Sequence, residues 1–248
     1  MRIYLLFTIT VLFLWQVIVH FAALPLFILP SPLAIAKALI LNWKILLFHS
    51  FVTSTEILLG IGLALAFSLP TAIFMFWSRH AEQALTPILI ASQAIPVFAI
   101  APLLVIWFGY GMTSKVVMAS IIIFFPITIS LLQGFKSCDR EYRDLFSVMG
   151  ADFWKTFRML YWPWALPYFF GGLKVAVSVA TIGAVIGEWV GAQSGLGYLM
   201  VQSNARLKTD VVFASILLLS VIGLILWNFV HFMESKVLRW KNIQSWEE

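Results

Sequence analysis

The chain has 248 residues, 62% of them hydrophobic and only 11% charged, with a formal charge of +5. A soluble domain carries roughly 25% charged residues, so an ordinary water-soluble enzyme or binding module is excluded. The basic residues are scattered through loops instead of forming a patch, which argues against nucleic acid, and the single cysteine, Cys138, allows neither an intrachain disulfide nor a thiolate metal site.

The apolar residues fall in long blocks: Ile3–Phe21, Phe51–Trp77, Ala84–Phe108, Val116–Phe135, Tyr168–Ala192 and Val211–Met233. A span needs ~20 residues, and backbone groups in hydrocarbon must bond within their own segment. The expectation is an all-α polytopic membrane protein with about six transmembrane helices in a single domain, residues 1–248. Strand-period alternation, which a membrane barrel needs, is absent. The first block exceeds the ~7–15 residues of a signal-peptide core, so it reads as an uncleaved helix. Ser31-Pro32 then predicts an N-cap and first helical residue for a short interfacial helix over Leu33–Trp43. In the third block Gln93 precedes Pro96 and Pro102, which interrupt the span; such bends serve either a translocation path or ordinary packing.

Six spans place both termini on one side with Arg2, Arg79, Lys136, Arg140, Arg143, Lys155, Arg158, Lys236, Arg239 and Lys241. Lys37, Lys44, Lys115, Arg206 and Lys208 fall on the other. This ten-to-five bias assigns the termini to the cytoplasm.

The same side holds a polar insert, about residues 136–167, with two short amphipathic helices flanking Gly150. Tyr142, Leu145, Phe146 and Met149 recur at i, i+3, i+4 and i+7, giving one apolar face. Asp139 with Arg143, and Arg140 with Asp144, are spaced for ion pairs. Phe153, Phe157 and Leu160 form the second stripe; Gly150 suits a sharp turn, and Pro163 and Pro167 are expected to stop the second helix before the next span. By pattern alone the insert is either a pair of helices lying on lipid headgroups or a docking surface.

In the fifth span Gly172, Ala176, Ala180 and Ala184 form one row of small residues, and Gly183, Gly187 and Gly191 another. Such rows let backbones approach closely, inside one subunit or at a seam between two. Glu56 and Glu188 are carboxylates in spans and each needs a partner. Glu188, beside Trp189 near the span's outer end, reads either as a gate residue or as a solvated interfacial carboxylate. Glu56 reads as structural, and Lys174 can snorkel.

The insert resembles the EAA loop of permease subunits of bacterial ATP-binding cassette (ABC) importers. Asp144, Leu145 and Phe146 stand at that loop's acidic and two alanine positions, Gly150 and Ala151 at its glycine turn, and Leu160, Trp162 and Pro163 at its end. Leu and Phe replace the alanines, and Trp162 replaces the leucine before proline. Thr55-Glu56, Gly60, Pro87, Ile95-Pro96, Ala101-Pro102-Leu103 and Trp107-Phe108-Gly109 are similar to the same family. Gly187 to Leu199 resembles its branch importing sulfonates, nitrate, taurine and thiamine precursors. Gln202 to Arg206 with Thr209-Asp210 is most like permeases for hydroxymethylpyrimidine.

The resemblance implies a type I importer permease of the bacterial inner membrane that does no chemistry itself and moves a small polar solute by alternating access. It implies two ATPase subunits docked at Asp144, Leu145, Phe146, Gly150, Ala151, Leu160 and Pro163, an external substrate-binding protein, and a second permease copy; it favours the small-residue rows as the homodimer seam. Gln93, Pro96, Glu188 and Trp189 are the candidates for the path or gate. No glycine-lysine phosphate loop occurs, and neither a cofactor nor a metal is expected. The rival from another class, a stand-alone secondary transporter or channel, would need intramembrane ion sites, for which only Glu56 and Glu188 qualify. A membrane enzyme would need a cluster that the scattered His20, His49, His80 and His231 do not form.

Overall fold

The structure, a computed structural model, describes residues 2–22 and 25–240, without the side chains of residues 2–5 and 8. Eleven α-helices follow one another in this part of the chain: α1 (Arg2–Phe21), α2 (Pro32–Leu41), α3 (Trp43–Trp77), α4 (Arg79–Ala94), α5 (Val97–Phe108), α6 (Met112–Lys136), α7 (Arg140–Val148), α8 (Phe153–Thr156), α9 (Trp162–Gly191), α10 (Leu196–Ala205) and α11 (Thr209–Val237). A π-helical turn, Phe157–Tyr161, joins α8 to α9. Four segments are long and apolar enough to cross a membrane: α3, α6, Phe153–Gly191 and α11. The pair α4 and α5 makes a fifth if counted as one broken span. α1 supplies a further helix of 20 residues.

The centre of the bundle is α3, α6 and α9. Small residues let these three close on one another: a Cβ on Gly60 would meet Ala119, one on Gly172 would meet Ser130, and one on Gly183 would meet the Ala119 backbone. Ile57, Ile123, Ile127, Ala176, Val177 and Ala180 fill the space between them. Packing of this kind, not the hydrophobic effect, is what holds helices together in lipid. Both rows of α9 are therefore covered within the subunit, Gly187 by Lys115 and Gly191 by Val105 and Tyr110. The expectation that they form a seam between two copies is corrected: the adjoining helices of the same chain already occupy those faces. α11 packs on α9, and Ile35 and Ala38 of α2, Leu196 of α10 and Val211 and Ala214 of α11 form a second core beside it.

Ser31 caps α2 as expected, accepting from the Ala34 N–H at 3.2 Å with Pro32 at the first helical position. Three other expectations change. The third span is not one helix: α4 and α5 meet at a 99° bend. Ile95 sits at φ −79°, ψ 121°, where a residue before proline is pushed out of the helical region, and Pro96 cannot donate to α4. Pro102, by contrast, lies within α5 without breaking it. Pro163 and Pro167 do not stop the second helix of the insert. The chain stays helical from Phe153 to Gly191 because the π-turn shifts the bonding pattern, the Trp162 N–H reaching back to the Phe157 carbonyl. Lys115 is not a loop residue but is buried in α6, 4% exposed.

Candidate functional site

The insert folds as an elbow. α7 ends in a Schellman turn: Gly150 adopts φ +70°, its N–H donates to the Ser147 carbonyl, and the Ala151 N–H donates to that of Phe146, each at 3.0 Å. Only glycine takes this conformation without strain. Asp152 then caps α8, accepting from the Lys155 N–H at 3.0 Å. The second arm is anchored, with Phe153 stacked on Trp77, Phe157 against Phe135, and Tyr161 edge-on to Phe76. Ala72, Leu131, Phe135, Phe157 and Ala165 form one buried cluster beneath it.

The first arm stays at the surface. No residue of α7 is buried, and Leu145, Val148 and Met149 are 53%, 87% and 72% exposed. Tyr142 rests on Trp164, and that indole donates to the Ser137 hydroxyl. The expected pairs Asp139–Arg143 and Arg140–Asp144 do not form: among the described residues the ion pairs are Glu56–Lys115, Glu82–Lys136, and Glu234 with Lys174 and His231. Arg143 instead turns inward toward the Tyr161 hydroxyl. Of the sequence-selected residues, Asp144, Leu145 and Gly150 are exposed, Phe146 and Ala151 half-buried. Leu160 and Pro163 line a cavity of about 720 Å³ with Trp164, Tyr168 and Trp240. Cys138 is buried at the foot of the elbow, where burial pushes its thiol up against the opposing pull of Arg143.

The residues selected for the path occupy two places. Gln93 and Pro96 are exposed at the α4–α5 break. Trp189 faces outward, whereas Glu188, one residue earlier, is 1% exposed. Glu188 lies in a polar group at the end of the bundle opposite the elbow. Its carboxylate accepts from the Thr53 hydroxyl at 2.6 Å, from the Gly197 N–H and from the Tyr198 N–H at 3.3 Å. Thr53 also accepts from the Leu196 N–H at 2.8 Å, and His49 Nδ1 from the Gly195 N–H at 2.9 Å. An Nδ1 that accepts carries no proton, so this imidazole is the neutral Nε2–H tautomer. Glu56, fully buried beside Glu188, pairs with Lys115 Nζ at 3.4 Å.

Sequence reasoning found the two carboxylates but missed Lys115, Thr53 and His49. The available signal was charge balance: a lysine next to an apolar block is the natural partner for a glutamate inside one. Lys174 has a partner too, Glu234 of α11 at 2.8 Å. Among the described residues no group of three or more His, Cys, Asp or Glu could hold a metal.

Residues 56–239 match the binding-protein-dependent transport system inner membrane component family. The chain belongs to that family. A probable ABC transporter permease of Haemophilus influenzae is 45% identical over 87% of this chain and 88% of its own. The formylaminopyrimidine transport permease of Halalkalibacterium halodurans is 37% identical over 96% of each. The riboflavin transport system permease of Chloroflexus aurantiacus is 38% identical over 92% of this chain and 85% of its own. In fold, the permease matches an inward-facing structure of the MetNI methionine ABC transporter with a TM-score of 0.67, covering 75% of this chain and 93% of that one at 15% identity. It is thus a multi-pass inner-membrane permease of an ABC importer, and its relatives are transport subunits, not enzymes. A stand-alone secondary transporter does not fit a binding-protein-dependent family.

Proposed function

We propose that this permease carries a small polar solute into the cytoplasm as a homodimer, driven by two ATPase subunits that dock on the α7–Gly150–α8 elbow and supplied by an external binding protein. The observation that carries this reading is the asymmetry of the elbow. One arm offers a bare apolar edge, Leu145, Val148 and Met149, and the other is fixed by aromatic rings to α3, α6 and α9. A partner that grips the first arm moves the bundle through the second. Nucleotide binding can shift the permease only if it favours one packing over another, and a stiff link of this kind transmits that preference.

The elbow and both termini lie in the cytoplasm in this reading. With Lys115 buried, the opposite side keeps only Lys37, Lys44, Arg206 and Lys208, which sharpens the positive-inside bias. Gln93 and Pro96 at the α4–α5 break line the path, because irregular backbone at membrane depth is tolerated only in protein or against water. Glu188 and Trp189 stand at the outer mouth.

The cargo we assign is a pyrimidine precursor of thiamine, supported by the formylaminopyrimidine relative that aligns over nearly the whole chain. A sulfonate, taurine or nitrate is the second choice. Calorimetric titration of the cognate binding protein tests this: an aminopyrimidine binds, while taurine, nitrate and riboflavin do not. Tight binding of any of those three, with no heat from the pyrimidine, refutes the cargo and leaves the permease assignment intact.

A further inference from the structure

The group around Glu188 does more than neutralise a buried charge. A helix cannot satisfy its own first four N–H groups. In α10 all four, those of Gly195, Leu196, Gly197 and Tyr198, are taken by side chains of α3 and α9. The fit is tight: a Cβ on Gly195, which has φ +114°, would fall on the Glu188 carboxyl, and one on Gly197 would come within 2.9 Å of its Oε2. Two of the four, those to His49 and Thr53, join residues more than 140 positions apart, so they hold an outer segment of the chain to the central helices.

The charges beneath this clamp allow a second arrangement. Two buried carboxylates, Glu56 and Glu188, lie side by side, and the one ammonium beside them, that of Lys115, pairs with Glu56. Lys115 sits near Glu56, yet neither Glu56 oxygen has a hydrogen-bond partner. Glu188 is balanced instead by the positive end of α10. Were α10 to withdraw, Glu188 would be left against Glu56, with Lys115 as the neighbouring cation. The Lys115 side chain already lies along α9, its Cβ and Cγ 3.3 Å from where a Cβ on Gly187 would stand. From α6 it pairs with Glu56, and its stem runs beside Gly187, the residue that precedes Glu188. A transfer of that ammonium from Glu56 to Glu188 would give the group a second arrangement, as a switching element requires.

We propose that Glu188 is a positioning residue of the outer gate: it clamps α10 over the outer ends of α3 and α9 in this state, and Lys115 takes over its charge when α10 lifts during the transport cycle. This rests on the alternating-access reading above.

The test places a cysteine at Ser203, buried on α10, in a Cys138→Ala background. The full complex, with ATPase and binding protein, is reconstituted in proteoliposomes and exposed to a membrane-impermeant maleimide. Labelling is expected to be slow without nucleotide and about tenfold faster after trapping with ATP and vanadate, as for a site moving from a minor to a major open population. Glu188→Gln labels fast in both conditions, and Thr53→Val gives the same pattern if the first variant does not fold. Lys115→Met stays slow in both, as does Lys115→Met combined with Glu56→Gln if the single variant does not fold, which a purely structural cap would not produce. Slow labelling of the Ser203→Cys protein in both conditions, while the same vesicles take up solute, overturns the gate. If those vesicles take up nothing, the transport reading falls first and the gate falls with it.

Discussion

At the α10 end of the bundle, four backbone N–H groups are all taken by His49, Thr53 and Glu188, and buried Glu56 is set against Lys115. At the elbow end, a nine-residue helix leaves its apolar edge bare and makes no ion pair with the rest of the molecule among the described residues. Burial forces the first arrangement, since an unmet polar group there costs far more than in water. Nothing within the chain forces the second. A surface left open in this way, next to an arm locked by three pairs of aromatic rings, fits a protein that receives force from outside at one end and responds at the other.

Substitutions can break either side of this contrast. The largest effect is expected from Lys115→Met, which strands Glu56 in a dry site and should cost about 3–5 kcal/mol. Thermal unfolding in detergent measures it, and adding Glu56→Gln should recover a substantial part; no recovery would mean that the two do not act as a pair. Gly195→Ala forces a side chain into a positive-φ position and onto the Glu188 carboxyl, with an expected loss of about 2 kcal/mol or more. At the elbow, Gly150→Ala should cost only about 1–2 kcal/mol, because nothing lies within 4 Å of the added Cβ and only backbone strain remains. Gly150→Asp should likewise insert normally but lose ATPase co-purification, with uptake falling alongside it; intact assembly and uptake would count against docking there. Lys136→Ala, which removes the exposed pair with Glu82, should change stability by less than about 1 kcal/mol.

Features fixed by local chemistry were legible in the sequence. The Ser31-Pro32 cap, the apolar periodicity from Tyr142 to Met149 and the Gly150 turn each depend on residues within one or two helical turns, and each stands where it was read. Features set by tertiary contact were not. Thr53 and Glu188 are 135 positions apart, and nothing near either residue announces the other. Proline was ambiguous for the same reason: Pro96 breaks its span and Pro163 does not, because the π-turn before Pro163 re-routes the backbone bonds. The small residues of α9 showed that something packs closely, but only the fold showed that the neighbour is α6 of the same chain. Among the residues proposed for coupling, the sequence marked Leu145 and Leu160 alike, whereas the structure exposes the first and buries the second.

The most direct test is a photo-cross-linking amino acid at Val148, the most exposed apolar side chain of α7 at 87%, irradiated in the intact, transport-competent complex. An adduct between the permease and its ATPase subunit is the predicted product. Adducts with lipid alone, in a complex that still transports, would contradict the elbow as the point where the motor takes hold.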